Sequence, residues 1–343
     1  MNVQIVDEVL DCEGVINEMP LSERLRGQKA ASDKAVSDVI TGESGKFLVI
    51  IGPCSAHNEE AVIDYACRMS KLQKLYADKL VVAVRVYTNK PRTTGSGYKG
   101  LVHQPDPEKK PNLKEGILAI RRIHLHVLEQ AGLPTADEML YPENYMYLAD
   151  LLSYVAVGAR SSENQQHRLV ASGIDTPVGI KNPTSGDINV MMNSIQAAQS
   201  GHEFIYRNQV IRSFGNPLAH AILRGAVNKH GESIPNYHYE DLKAAAVLYR
   251  SRNLQNPAII VDANHDNSSK QYLEQPRIVK NVLVNRQWDE TLHTMIKGLM
   301  IESFIEEGRQ DIETSNVYGK SITDPCLGWS QTEELIGNIA ESV

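Results

Sequence analysis

The sequence predicts an α/β fold, a single (β/α)8 TIM barrel with an N-terminal extension. Eight short apolar runs, rich in β-branched residues and bounded by turn residues, have the character of strands buried on both faces. Helix-length segments lie between most of the runs, and eight strand–helix repeats are what a closed parallel barrel needs. The runs end, in chain order, at Cys54, Arg85, Glu138, Arg160, Lys181, Arg224, His265 and Glu302. Because the strands of such a barrel run parallel, these polar residues should meet on the face that carries the active site.

We expect residues 1–45 to form an extension outside the barrel, which then occupies residues 46–343. The extension is mixed in polarity and contains an amphipathic stretch that ends at Gly42, so at least one helix is predicted there. A barrel of about 250 residues with additions accounts for the length of the chain as well as two domains would. We expect the extension to serve in regulation or in oligomerisation.

The remaining elements follow from local patterns. The segment after the first strand has helical periodicity, with Asn58 as its N-cap and acidic residues in its first turn. The stretch from 88 to 113 lacks periodicity, and loops of this length are usually functional or disordered. A β-hairpin is predicted in the insertion EFIYRNQVIRSFGNP before the sixth strand. Further helices are predicted at 114–131, 143–152, 162–172, 187–199, 238–250, 268–286 and 329–341.

Composition excludes several classes of protein. A net charge of −7 and an isoelectric point near 5.9 argue against a nucleic-acid partner. No apolar stretch approaches the ~18 residues of a membrane span, and the acidic N-terminus does not resemble a secretory signal. The four cysteines stand at unrelated spacings, which favours a reducing compartment over a disulfide framework. We therefore expect a cytoplasmic protein.

Four residues predict a metal site. Cys54, His265 and Glu302 end the first, seventh and eighth strands, which are neighbours in a closed barrel, and Asp324 lies in the following loop. A strand-end Cys or His alone is more often buried structure, but their joint occurrence favours a metal. This mixed donor set suits Mn²⁺, Fe²⁺, Co²⁺ or Zn²⁺ better than Mg²⁺ or Ca²⁺. His57, three residues after Cys54, is an alternative ligand.

Cations at the same face predict a site for small polyanions. Cations aimed into a barrel mouth are costly to desolvate unless an anion meets them, so phosphorylated substrates are favoured. Glu138 lies among these cations, where it would be a neutralising partner, position a water molecule or shift the pKa of a neighbouring lysine. The cations, from four runs and the glycine-rich loop after the second, are Arg85, Lys90, Arg92, Lys99, Arg160, Lys181 and Arg224.

Together these motifs resemble the type I 3-deoxy-D-arabino-heptulosonate 7-phosphate (DAHP) synthases, which catalyse the first step of the shikimate pathway to aromatic amino acids. The resemblance runs from about residue 46 to the C-terminus. It rests on eight motifs in the family's order, which in this chain are IGPCS, RVYTNKPRT, GARSSENQQHR, PVGIKNPTSG, ILRG, HDNSSKQ, the ES that ends strand eight, and YGKSITDPCLGW.

The resemblance implies a metal-dependent aldol-type condensation of phosphoenolpyruvate with D-erythrose 4-phosphate and water, which gives DAHP and phosphate. It implies one divalent ion held by Cys54, His265, Glu302 and Asp324. It implies that phosphoenolpyruvate is bound by Arg85, Lys90, Arg160, Lys181 and Arg224, with Glu138 nearby. It implies that erythrose 4-phosphate is bound by Pro91, Arg92 and Thr93. Lys90 is the candidate proton donor to the new alkoxide, with a metal-bound water as the alternative, and Cys54 and His265 join it in catalysis through the metal.

One feature separates this chain from the best-known members. Its TTGSGYKG segment is one residue longer than their TTxGWKG, which leaves the role of Lys99 open. The resemblance also implies inhibition by an aromatic amino acid, bound where the extension meets the barrel, and a homodimer or homotetramer. One alternative function is the related condensation of phosphoenolpyruvate with arabinose 5-phosphate, which the KPRT and GKSITD segments disfavour. The other is a non-catalytic regulatory barrel, which the complete set of ligands and cations disfavours.

Overall fold

The computed structural model describes residues 1–92, 94–314 and 317–343, and it confirms the (β/α)8 barrel. Eight parallel strands pair in chain order, and the barrel closes where the first strand pairs with the eighth, with Leu48 opposite Gly298. Each strand overlaps one of the predicted apolar runs. The strands are β1 (Phe47–Gly52), β2 (Leu80–Arg85), β3 (Thr135–Glu138), β4 (Leu152–Val157), β5 (Val178–Lys181), β6 (Ala219–Leu223), β7 (Ile259–Asp262) and β8 (Ile296–Glu302).

The helices pack around the barrel and at its two ends. In the described part of the chain they are α1 (Cys12–Glu18), α2 (Glu23–Thr41), α3 (Glu59–Leu75), α4 (Leu113–Ala131), α5 (Pro142–Tyr145), α6 (Gln165–Ala171), α7 (Ile188–Ala198), α8 (Tyr239–Ser251), α9 (Gln275–Trp288), α10 (Glu290–Met295) and α11 (Trp329–Ser342). The predicted helix at 143–152 is only four residues long, and the one at 268–286 starts late because two 3-10 turns precede it. None of these helices combines the length and apolar character that a membrane span needs.

Helix α2 of the extension closes the amino-terminal end of the barrel. It ends at Gly42, which takes the left-handed conformation with φ 84°. Val36 and Ile40 pack in one apolar cluster with Leu48 and Val81, which lie near the starts of β1 and β2. Strand residues alternate between the two faces of a sheet, so the inward positions continue from this cluster to the open, carboxyl-terminal end. Whether the extension serves regulation or oligomerisation stays a prediction.

The predicted hairpin before the sixth strand is confirmed. Glu203–Tyr206 and Gln209–Arg212 pair antiparallel. Arg207 and Asn208 connect them with positive φ values of 50° and 62°, as a tight two-residue hairpin turn requires. Two shorter two-stranded ladders lie in the loops after β6 and β8.

Close packing of the closure strand generates a test of the fold. A Cβ atom added at Gly298 would lie 2.2 Å from the backbone oxygen of Leu48. Gly298→Ala should therefore lower the free energy of unfolding by about 1–3 kcal/mol, the usual cost of overpacking. Gly27, exposed in α2, has no atom within 4 Å of its added Cβ, so Gly27→Ala should raise that free energy by about 0.5–1 kcal/mol. Urea unfolding followed by circular dichroism measures both, and a neutral Gly298→Ala would contradict this packing.

Candidate active site

Three of the predicted metal ligands converge at the carboxyl-terminal end of the barrel. One ligand atom from each of Cys54, Glu302 and Asp324 lies within 4.8 Å of the other two, and Cys54 Sγ is 3.6 Å from Asp324 Oδ2. Two atoms that bind one ion at about 2.0–2.3 Å each can be at most ~4.6 Å apart, so a small closure would let all three share an ion. One thiol and two carboxylates also form a donor set that suits a transition metal.

Charged groups of both signs lie around these three ligand residues. Burial, with Glu302 adding to it, raises the pKa of Cys54 to about 11. The Nζ atom of Lys90 lies 2.9 Å from Cys54 Sγ. Burial alone would lower the pKa of Lys90, but Cys54 and Glu302 raise it. The lysine therefore stays charged, and a metal has to displace the thiol proton in order to bind the sulfur.

His265 lies beside this group. It follows β7 and takes a left-handed backbone conformation, with φ 45°. Its Nε2 is 3.8 Å from Glu302 Oε1, and its Nδ1 is 2.7 Å from Asp262 Oδ2. A left-handed conformation outside glycine costs about 1–3 kcal/mol and is concentrated at functional sites. The alternative ligand His57 packs its ring edge-on against Phe304, with centroids 6.1 Å apart.

Arg85 is the most deeply buried cation of the site. Its Nη2 donates to Glu302 Oε1 at 2.9 Å, and its guanidinium stacks 4.0 Å from the centre of the Tyr87 ring. Its Nε and Nη1 atoms are buried and have no hydrogen-bond partner among the described residues. Unpaired buried donors are costly, so these two atoms indicate that Arg85 is built to meet an anion.

Two more buried cations pair with carboxylates at or just after the end of β7. Lys181 Nζ at the end of β5 is 3.2 Å from Asp262 Oδ2 of β7. Arg224, directly after β6, pairs with Asp266. Burial acts to raise the pKa of Asp262, but His265 and Lys181 lower it far below its ordinary value. The Asp262 carboxylate therefore stays ionised although it is buried.

The long loop after β2 brings Lys90 into the site and leaves its other cations at the rim. The backbone amide of Lys90 donates to the Lys99 carbonyl at 3.0 Å, and Arg92 Nε donates to the Tyr98 carbonyl at 2.8 Å. The Arg92 and Lys99 side chains are exposed, and Pro91 is half-buried. Thr93, also predicted to bind substrate, lies outside the described residues.

Glu138 is the last residue of β3, and Arg160 lies in the loop that follows β4. Glu138 is half-buried and lies against Gly158, where an added Cβ would come within 2.4 Å of Glu138 Oε1. Arg160 is exposed. The backbone next to Glu138 is fixed by Asp137, whose Oδ1 accepts hydrogen bonds from the amides of Thr88 at 3.0 Å and Glu138 at 2.7 Å.

Sequence reasoning missed the carboxylates and amides that hold the predicted residues. Asp262 is not among the predicted residues, because the seventh apolar run continues past it to His265. The alternation of β7 places Asp262 on the same inward face as Ile260, and that signal was available. Asn264, whose Nδ2 donates to Glu302 Oε2 at 2.7 Å, continues the same alternation. Asp137 carried no such signal, because it faces away from the barrel interior.

A second cavity, of about 410 Å³, lies on the flank of the barrel. Residues 11–13 of the extension form one wall, and Tyr145, Met146 and residues from α6 and the 203–212 hairpin form the others. The guanidinium of Arg207 contacts the Cys12 thiol and stacks 5.6 Å from the Tyr147 ring. The cavity therefore forms where the extension meets the barrel.

Comparisons with known proteins agree with this geometry. The model of the DAHP synthetase I family matches residues 21–336. The Trp-sensitive phospho-2-dehydro-3-deoxyheptonate aldolase of Enterobacter agglomerans is 37% identical over 95% of this chain and 92% of its own. The Tyr-sensitive aldolase of Escherichia coli K12 is 37% identical over 100% of this chain and 96% of its own. A solved structure of a phospho-2-dehydro-3-deoxyheptonate aldolase from Francisella tularensis superposes with a TM-score of 0.91 at 29% identity, over 100% of this chain and 98% of that one.

The contact between Glu138 and Gly158 can be tested. The alanine methyl of Gly158→Ala would displace the Glu138 carboxylate, which is flexible, so stability should change by less than about 1 kcal/mol. If Glu138 acts at the site, the maximal rate should fall about tenfold or more, as for a group misplaced by an ångström. Gly27→Ala, distant from the site, is the control. Steady-state kinetics of both variants measure this effect. An unchanged maximal rate in Gly158→Ala would show that catalysis does not depend on where Glu138 lies in this structure.

Proposed function

This chain belongs to the DAHP synthetase I family, and we propose on that premise that its barrel mouth condenses phosphoenolpyruvate with D-erythrose 4-phosphate and water. The products are DAHP and phosphate. One observation carries the proposal: the ligand atoms of Cys54, Glu302 and Asp324 lie next to a buried cation. That cation is Arg85, which donates a hydrogen bond to Glu302. An enzyme that joins a phosphorylated enol to an aldehyde needs both groups within one site.

Cys54, Glu302 and Asp324, with His265 completing the set, would hold one divalent ion of the Mn²⁺, Fe²⁺, Co²⁺ or Zn²⁺ class. When bound, such an ion supplies Lewis-acid chemistry that polarises the aldehyde of erythrose 4-phosphate. The nearby Asn264 and Arg85 side chains, which hold both oxygens of Glu302, would fix the orientation of that ligand.

The buried cations would bind phosphoenolpyruvate. Arg85 keeps two donors without partners, and Lys181 and Arg224 end adjacent strands, so carboxylate and phosphate could be neutralised together. Arg160 and Glu138 would complete this pocket from the third and fourth strand ends. Binding in this pocket would hold C3 of the enol towards the aldehyde.

The loop after β2 would bind erythrose 4-phosphate through Pro91, Arg92 and Thr93, with Lys99 at the rim. In the reaction, C3 of phosphoenolpyruvate attacks the aldehyde carbon, water adds at C2, and phosphate leaves with cleavage of the C–O bond. Lys90, which carries its proton and reaches the sulfur of Cys54, would deliver a proton to the new alkoxide.

The cavity on the flank would bind the aromatic amino-acid effector. It has the size of a small-molecule site, and its walls come from the extension and from α5. Helix α5 begins four residues after Glu138, so it links the cavity to the active site along the chain. Arg207 at its edge offers a cation for the carboxylate of the effector, and Phe204 offers an aromatic wall.

We also propose a cytoplasmic homodimer or homotetramer. Four cysteines without disulfides support a reducing compartment. The side chains of Ile205, Val210 and Phe214 are 72%, 77% and 88% exposed, and this apolar surface beside the flank cavity supports a contact between subunits.

The activity assay is phosphate release from phosphoenolpyruvate with erythrose 4-phosphate as acceptor. We expect release that stops on treatment with a chelator and returns with one of Mn²⁺, Fe²⁺, Co²⁺ or Zn²⁺, because the thiol and carboxylates alone cannot polarise the aldehyde. Arabinose 5-phosphate serves as the rival acceptor, and Phe, Tyr and Trp are tested one at a time as inhibitors.

Faster turnover with arabinose 5-phosphate than with erythrose 4-phosphate would contradict the proposed substrate. Full activity in the chelator would contradict the metal site. A failure of all three amino acids to inhibit would remove the proposed role of the flank cavity and leave the reaction itself in place.

A further inference from the structure

Asn236 joins the loop after β6 to the mouth of the barrel. It follows a short ladder between Ala226–Val227 and Ser233–Ile234. Its Oδ1 accepts from the Gly225 amide at 2.8 Å, and its Nδ2 donates to Asn182 Oδ1 at 3.1 Å. Its own backbone amide donates to Asn267 Oδ1 at 2.8 Å. One residue of a surface loop thus contacts the segments that follow three barrel strands.

Asn182, Asn236 and Asn267 form an asparagine cluster around the end of β6. Asn182 Oδ1 accepts from the Arg224 amide at 2.9 Å, and its Nδ2 donates to the Gly225 carbonyl at 2.8 Å. Asn267 Nδ2 donates to the carbonyl of Leu223 at 3.2 Å. The cluster therefore binds backbone groups of all three residues from 223 to 225, which places the Arg224 side chain.

The cluster leaves this backbone little freedom. Gly225 has φ 76°, and a Cβ added there would lie 2.6 Å from the Asn267 amide nitrogen. Asn182 and Asn267 are buried, and each of their side-chain polar groups has a partner. A fully satisfied buried network holds one arrangement, whereas removing one member leaves buried groups unpaired.

Two members of the cluster stand next to charged residues of the site. Asn182 directly follows Lys181, Asn267 directly follows Asp266, and Arg224 pairs with that carboxylate. By contrast, no hydrogen bond of the cluster reaches the described residues of the loop after β2, which would bind the other substrate. The cluster therefore acts on one half of the site.

We propose that Asn236 is a positioning residue for phosphoenolpyruvate, which holds the ends of β5, β6 and β7 so that Lys181 and Arg224 face the same anion. The inference rests on the proposed function. Asn236 touches no substrate in this account and acts only through the backbone it fixes. Its loss should weaken the use of phosphoenolpyruvate and leave the use of erythrose 4-phosphate nearly unchanged.

The test compares Asn236→Ala with Asn228→Ala in the metal-loaded full-length enzyme. Asn228 lies in the same loop, where its Oδ1 accepts from the amides of His230 and Glu232 at 2.8 and 3.0 Å. Its side chain makes bonds only within the loop among the described residues, so Asn228→Ala reports on disruption of the loop itself. Asn236→Asp keeps an acceptor for Gly225 but has no donor for Asn182, and it replaces Asn236→Ala should that variant not fold.

We expect Asn236→Ala to raise the KM for phosphoenolpyruvate about tenfold, the effect of one or two hydrogen bonds, and Asn236→Asp to fall between it and the wild type. The KM for erythrose 4-phosphate should stay within about twofold in all variants, and Asn228→Ala should match the wild type for both substrates.

Three results would overturn the inference. One is a folded Asn236→Ala with an unchanged KM for phosphoenolpyruvate. Another is an Asn228→Ala variant with the same defect, which would indicate a general loop effect. The third is an equal rise for both substrates. A wild-type enzyme that releases no phosphate would instead defeat the proposed function, and the inference with it.

Discussion

Compensation of buried charge at the mouth of the barrel is the constraint on which this structure depends. Arg85, Lys181 and Arg224 are nearly inaccessible to water, and each faces a carboxylate at or just after the end of a different strand. Removing either partner of such a pair would leave an uncompensated charge at a cost of about 3–5 kcal/mol. The fold must therefore keep these strand ends, which are far apart in the sequence, in fixed positions relative to one another. The same positions place three cations around one opening of the barrel.

The rest of the architecture serves those positions. Helix α2 fills the amino-terminal end of the barrel with Val36 and Ile40, so the interior is apolar below and charged above. Small residues such as Gly298 let the strands close at contact distance. The hydrogen-bonded side chains of Asp137 and of the asparagine cluster then fix the loops that leave the strands.

Much of this arrangement could be predicted from the sequence. The position of every strand was evident from its apolar run, although β1, β4 and β7 end two or three residues before the polar residues that close those runs. Barrel closure then brings Cys54 and Glu302 together without further information. The residues that hold the site residues in place were harder to predict. The role of Asn236 cannot be predicted from the sequence, because its hydrogen-bond partners lie 11 to 54 positions away in the chain. They meet it only when the loop after β6 folds back onto the ends of β5 and β7. The length of helix α5 was overestimated, because helical periodicity alone does not show where a helix ends.

We propose that Cys54 supplies a sulfur ligand to an ion beside the buried cations Arg85, Lys181 and Arg224. Titration of chelator-treated protein with Co²⁺ tests this most directly, because a thiolate–cobalt bond gives a near-ultraviolet charge-transfer band. We expect a band that saturates at one ion per chain, is lost in Cys54→Ser and is kept in Cys67→Ser, whose sulfur lies on helix α3. Cobalt binding without the band, or an undiminished band in Cys54→Ser, would contradict it.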